Sequence, residues 1–161
     1  INRLRHVIHT GEHYYQIKNQ MKRRFKGIHI VSKFFTSLFS AGKATAVTIF
    51  PFVFYSNRFI AAKQTIRTHE TIHIYQQLEC SLAGGLIVIS GVFFFDQVLV
   101  FLPAAFLYYI LYGLFYAINL VKYKDRYDAY RNIPFEKEAW KKENQPEYIV
   151  FRKLFSWMKE L

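Results

Sequence analysis

The sequence predicts a mostly α membrane protein, built around a transmembrane or re-entrant helical hairpin and holding one short extended segment. Three observations predict it. The 161 residues are 52% hydrophobic yet carry a formal charge of +11, so apolar and basic residues must be segregated along the chain. From Ser81 to Val121 the one formally charged residue is Asp96, and this run exceeds the roughly 20 residues a helix needs to cross a bilayer. The run breaks at Asp96 and Gln97, with Pro103 close behind, as a hairpin tip would. It lies mid-chain and is too long for the core of a cleaved signal peptide. No stretch reads as a linker, so residues 1–161 are expected to form a single membrane-embedded domain.

Residues 1–43 form a basic amphipathic N-terminal region, with nine Lys/Arg and one acid, Glu12. Its densest cluster runs from Lys18 to Gly27. Val31, Phe34, Phe35, Leu38 and Phe39 follow at helical spacing, which predicts a helix lying in a membrane interface with the basic cluster toward lipid headgroups. Such a cluster can also track nucleic-acid phosphates. Spanning segments beside it make retention of positive charge on the cytoplasmic side the simpler explanation, and no nucleic-acid partner is expected. Ala44 to Ser56 is rich in β-branched and aromatic residues and contains Pro51, which predicts an edge strand or extended segment.

Residues 61–80 read as a helix carrying His69-Glu70-Thr71-Ile72-His73. The apolar hairpin covers 81–121. Its first arm, Ser81 to Phe95, is about 22 Å long as a helix and spans only if the preceding helix runs straight into it. The second arm, Val98 to Val121, is long enough alone. Beyond it the sequence turns polar, and residues 133–161 predict C-terminal helices. Pro134 suits the first position of one helix. A last helix is expected from Pro146, with Val150, Phe151, Leu154, Phe155, Met158 and Leu161 on one apolar stripe. The lone cysteine, Cys80, excludes an intrachain disulfide and reads as a packing residue.

His69 and His73 stand four residues apart. On a helix such side chains lie about 40° apart around the axis and can present two imidazoles to one zinc ion. Glu70 sits about 100° further round, placed to act as general base rather than as a ligand. A third ligand is needed. Glu79 would serve only after a chain turn made by glycine, and Gln76 stands where that glycine would be. Cys80 is about 10 Å along the axis from His73, out of reach. Glu136, Glu138 and Glu143 remain, each of which reads equally as part of a solvated helix face. A di-iron site would need a second Glu-x-x-His unit, and none exists.

For a later glutamate to meet the histidines, both motifs must lie on one side of the bilayer. Lys63 and Arg67 before the run and Lys122, Lys124 and Arg126 after it place both ends on the cytoplasmic side, while the tip has no Lys or Arg. "HETIH", a pair of apolar arms and then "FEKEAW" resembles the membrane-integrated gluzincins, the clan of CaaX prenyl-protein and heat-shock membrane metallopeptidases. The chain also resembles small uncharacterised bacterial membrane proteins carrying His-Glu-x-Ile-His-x-x-Gln and Phe-Glu-x-Glu-Ala. The clan resemblance implies that Glu136, aligned through Ala139, is the third ligand, with Glu138 as fallback. Trp140 stands where the clan has an aspartate that orients a histidine, and Asp125 and Asp128 are the substitutes.

The expectation is therefore a zinc metallohydrolase, foremost a peptidase, in a bacterial inner membrane with its site facing the cytoplasm. Its partners would be membrane lipid and a peptide or protein substrate, which the segment near "TIFPFVFY" would pair by strand addition. The alternative is a non-catalytic membrane anchor or partner-binding protein with a basic, lipid-facing surface.

Overall fold

In the computed structural model, which describes residues 12, 15–40, 42–95 and 106–161, the other elements gather around one long helix. After a helical stretch over residues 15–23 come β1 (Ile28–Val31), α1 (Lys33–Ser40), β2 (Ala46–Ile49), β3 (Phe52–Tyr55) and α2 (Arg58–Ala62). The long helix is α3 (Gln64–Phe95). It is followed by α4 (Leu107–Tyr123), α5 (Arg126–Arg131), α6 (Pro134–Lys142), α7 (Tyr148–Phe151) and a 3-10 helix, Ser156–Glu160.

Local chemistry sets several of these boundaries. The Asn57 side chain accepts from the Ile60 N–H at 2.9 Å and starts α2. Asp125 accepts from the N–H groups of Tyr127 and Asp128, both at 2.9 Å, and starts α5. Pro134 opens α6, where its missing N–H costs nothing. The extended segment becomes two strands, because Phe50 and Pro51 turn the chain between β2 and β3. The sheet order is β1-β3-β2, with β1 parallel and β2 antiparallel to the central β3.

Three apolar clusters lock these elements to α3. Val53 and Tyr55 of β3 pack on Ile74. Ala139 of α6 and Ile149 of α7 pack on Ile72. Cys80, Tyr108, Ile133, Phe135 and Trp157 join α3, α4, α6 and the 3-10 helix. The middle of the first half of α3 is thus enclosed, while Gln64 and Arg67 near its start stay exposed. Thr68 through Ile74 are buried without a break. Beyond Cys80 the same helix exposes Leu82, Leu86, Ile87 and Ile89.

The transmembrane expectation is overturned: among the described residues, no helix is long and apolar enough to cross a membrane. The HExxH half of α3 is packed inside protein and carries Gln76, Gln77 and Glu79 besides the motif. α4 has 17 residues, about 25 Å of helix against a hydrocarbon core of about 30 Å. A bilayer-crossing hairpin and an integral place in a bacterial inner membrane lose their support together, and so does a cytoplasmic orientation inferred from flanking charge. The expected tip at Asp96 and Gln97, with Pro103, lies outside the described residues.

Two further expectations are corrected. Val31 belongs to β1, so the N-terminal amphipathic helix begins at Lys33, and its Phe35 and Phe39 rings lie on Phe54, each at 5.4 Å between centroids. The apolar stripe from Pro146 is not one helix. It stops after Phe151, and Phe155 adopts a left-handed φ of 54° before the 3-10 helix begins. The break lets Arg152 turn inward to buried carboxylates.

Gly27 enters β1 with φ +85°, and a Cβ there would meet Ile74 Cδ1 at 3.0 Å and the Pro51 carbonyl oxygen at 3.2 Å. Gly27→Ala is expected to lower unfolding free energy by about 1–3 kcal/mol. Gly113→Ala, in an exposed stretch of α4 with nothing within 4 Å of the new Cβ, should raise it by about 0.5–1 kcal/mol. Urea titration of the two variants beside the parent checks both signs.

Candidate metal centre

α3 delivers His69 and His73 on one face, and α6 lays Glu136 across them. The first turn of α6 carries Glu136, and the Ile72 contact with Ala139 sets its height on α3. The His69 and His73 Nε2 atoms are 3.1 Å apart. Glu136 Oε2 lies 3.4 Å from His69 Nε2, and its Oε1 lies 3.4 Å from His73 Nε2. His69, His73 and Glu136 are 8%, 6% and 3% exposed. Together they form a buried group that could hold a metal ion.

The surrounding hydrogen bonds say which way the lone pairs point. Gln76 Nε2 donates to the Phe135 carbonyl at 3.0 Å and to Glu138 Oε2 at 2.9 Å, so Gln76 Oε1 must be the atom facing His73 Nδ1 at 2.7 Å. His73 therefore carries its proton on Nδ1 and offers the Nε2 lone pair inward. Glu143 Oε2 accepts from His69 Nδ1 at 3.1 Å, which orients that imidazole the same way. Two imidazole lone pairs and a carboxylate then converge with no donor of their own between them. Only a cation, or a proton taken up by one of the three, satisfies such a set.

Without a metal the proton is the answer. Burial opposes charge on His69, but the Glu136 hydrogen bond, assisted by Glu70 and Glu143, raises its pKa to about 9. Burial likewise opposes ionisation of Glu136, and the two histidines with the Tyr130 hydroxyl hold its pKa down to about 2. Tyr112 and Tyr130 donate to Glu136 Oε1 and Oε2 at 2.9 and 2.8 Å. Burial, then the Glu136 charge, pushes both phenols upward, so they remain donors. Each carboxylate oxygen is held on one side by a tyrosine and turned on the other toward a histidine.

The remaining sequence candidates go elsewhere. Glu138 accepts from Arg152 Nε at 2.7 Å and from the Tyr148 hydroxyl at 2.9 Å, and it also anchors Gln76. Glu79 pairs with the same Arg152 guanidinium. Cys80 is buried in the cluster with Phe135 and Trp157. Glu143, weighed as a ligand, holds the outer nitrogen of His69. It does so one turn after Trp140, whose ring lies 5.2 Å from the imidazole, edge to face. The Asp125 carboxylate is spent capping α5, and Asp128 is exposed in the first turn of that helix. Glu70 is 6% exposed and takes a 2.6 Å hydrogen bond from Thr48 of β2 on Oε2.

Sequence reasoning missed Gln76, Tyr112, Tyr130, Arg152 and Thr48. Gln76 alone had a readable signal, because it falls three residues after His73 on the same helix face. The tyrosines sit in a segment too rich in tyrosine for any one to stand out. No family model, curated protein or solved structure matches the chain. Neither the fold nor these comparisons supplies evidence for a protease as such; the structure supplies the buried His/Glu cluster.

Replacing the hydrogen-bonding partner of a metal-bound imidazole typically costs 10–100-fold in metal affinity. Gln76→Leu should therefore weaken metal binding by about 10–100-fold, read by competition with a chromophoric chelator. Arg152→Met strands two buried carboxylates and should cost about 3–5 kcal/mol of stability, read by urea titration.

Proposed function

We propose that the chain is a zinc-dependent hydrolase, with peptide bonds as the substrate class to test first. The observation that carries the reading is the inward convergence of two imidazole Nε2 atoms and one carboxylate, with Glu70 beside them. A tetrahedral zinc ion with bonds of about 2.0–2.1 Å has ligand-to-ligand edges of about 3.3–3.4 Å; the two Nε2 atoms are 3.1 Å apart, each faces a different Glu136 oxygen at 3.4 Å, and one ligand atom from each residue lies within 4.8 Å of the others. The donor set of two imidazoles and a carboxylate suits zinc and leaves a coordination position open for a reacting group.

When bound, zinc supplies Lewis acidity toward a carbonyl oxygen and brings the pKa of a water near 7. The chain's own residues supply the rest. Glu70 is the carboxylate of the HExxH motif, steadied by a hydrogen bond from Thr48, and is suited to accept a proton from an attacking water. Tyr112 and Tyr130 neutralise none of the charge on Glu136 but fix its plane. The motif resemblance to gluzincins supports the same assignment of His69, His73, Glu136 and Glu70.

Mass spectrometry of the purified protein should find about one zinc per chain in the parent and none in His73→Ala. Glu70→Gln should keep its zinc and lose at least about a hundredfold in hydrolysis of a quenched-fluorescent peptide library, as loss of a general base does. Equal turnover by parent and Glu70→Gln, with zinc retained in both, would make the ion structural and end the hydrolase reading.

A further inference from the structure

Behind α3, turned away from the metal centre, lies a cavity of about 240 Å³. Gln64, Arg67, Thr68 and Thr71 line it from α3, at the i, i+3, i+4 and i+7 positions of one helix face, and Lys26 and His29 line it from the entrance and strand of β1. Arg67 projects about 200° around the axis from His69, so the helix itself separates the cavity from His69 and His73. Met21, Pro146 and Ile149 supply an apolar floor.

The lining is electrostatically one-sided. It contains two cations and an imidazole and no carboxylate. Among the described residues no carboxylate comes within 4 Å of a Lys26 or Arg67 nitrogen, although three such Lys/Arg–carboxylate pairs form elsewhere in the molecule. His29 Nδ1 is engaged by the Tyr55 hydroxyl at 2.7 Å, and burial followed by the Arg67 charge lowers its pKa, which keeps the ring neutral. Thr68 and Thr71 give their hydroxyl protons to the helix carbonyls of Gln64 and Arg67, at 2.9 and 2.7 Å; the Thr68 oxygen accepts from Gln64 Nε2 at 3.3 Å, and the Thr71 oxygen is left as an acceptor.

A ligand matching this surface carries negative charge for Arg67 and Lys26 and a hydroxyl proton for a threonine oxygen. We infer that the cavity between β1 and the back of α3 binds a phosphate-class oxyanion through Arg67 and Lys26. Arginine presents a planar fork to such an anion, lysine a mobile point charge. A hydrogen phosphate group has both the charge and the donor, and the apolar floor tolerates the carbon side of an ester. Free phosphate and a phosphate monoester share this chemistry. The assignment is independent of whether the metal centre catalyses anything.

Calorimetric titration of the full chain with inorganic phosphate, and separately with glycerol phosphate, at fixed ionic strength in chloride tests it. The expected result is a saturable single site for at least one probe, weakened about tenfold or more in both Arg67→Gln and Lys26→Gln and unchanged in Lys63→Gln, a control lysine that does not line the cavity. Tighter binding of glycerol phosphate assigns an ester as the occupant, and equal or tighter binding of inorganic phosphate assigns the free anion; both support the site. No saturable heat from either probe at millimolar concentration overturns it. So does equal binding by the parent and both cavity variants.

Discussion

A carboxylate buried between two imidazoles is the arrangement on which the rest of this structure depends. Glu136, at 3% exposure, would lose several kcal/mol to desolvation if it were alone. It is retained because two histidines and two phenols surround its oxygens. The same demand extends outward. His73 needs an acceptor at Nδ1 and finds Gln76; Gln76 needs acceptors and finds Glu138; Glu138 needs a cation and finds Arg152, which it shares with Glu79. A single polar layer thus runs from the candidate ligands to the C-terminal segment, and every member justifies burial of the next.

This layer explains why α3 looks turned inside out. Its ionisable half is in the interior and its most apolar half reaches out beyond Cys80. Hydropathy reads the second half correctly as greasy and assigns the first half to a surface, because a sequence window counts charges without knowing their partners. The architecture instead wraps the charged half in three layers, the sheet on one side and α6 and α4 on others. Among the described residues neither α3 nor the 17-residue α4 is long and apolar enough to cross a bilayer.

Much of the site was legible in advance, for a physical reason. Two histidines at helical spacing define a face, so His69 and His73 could be named from spacing and motif, while Glu136 was singled out from Glu138 and Glu143 only through the resemblance to the gluzincins. The supporting groups could not. Arg152 sits in the middle of what reads as a continuous apolar stripe, and the helix ends just before it, where it pairs with Glu79 and Glu138. Glu143 was visible as a carboxylate near the site but not as the partner of the outer nitrogen of His69, since that depends on the turn of α6 relative to α3. β1 was hidden because Val31 fits the helical spacing of the phenylalanines after it, while pairing with β3 decided its conformation.

The central claim is that His69, His73 and Glu136 form one coordination set. X-ray absorption at the zinc edge, on protein loaded with one equivalent and dialysed, tests it most directly. The account predicts two imidazole nitrogens at about 2.0–2.1 Å and carboxylate oxygen at about 2.0–2.2 Å. A shell containing sulfur, a shell without histidine, or loss of the metal on dialysis would contradict it.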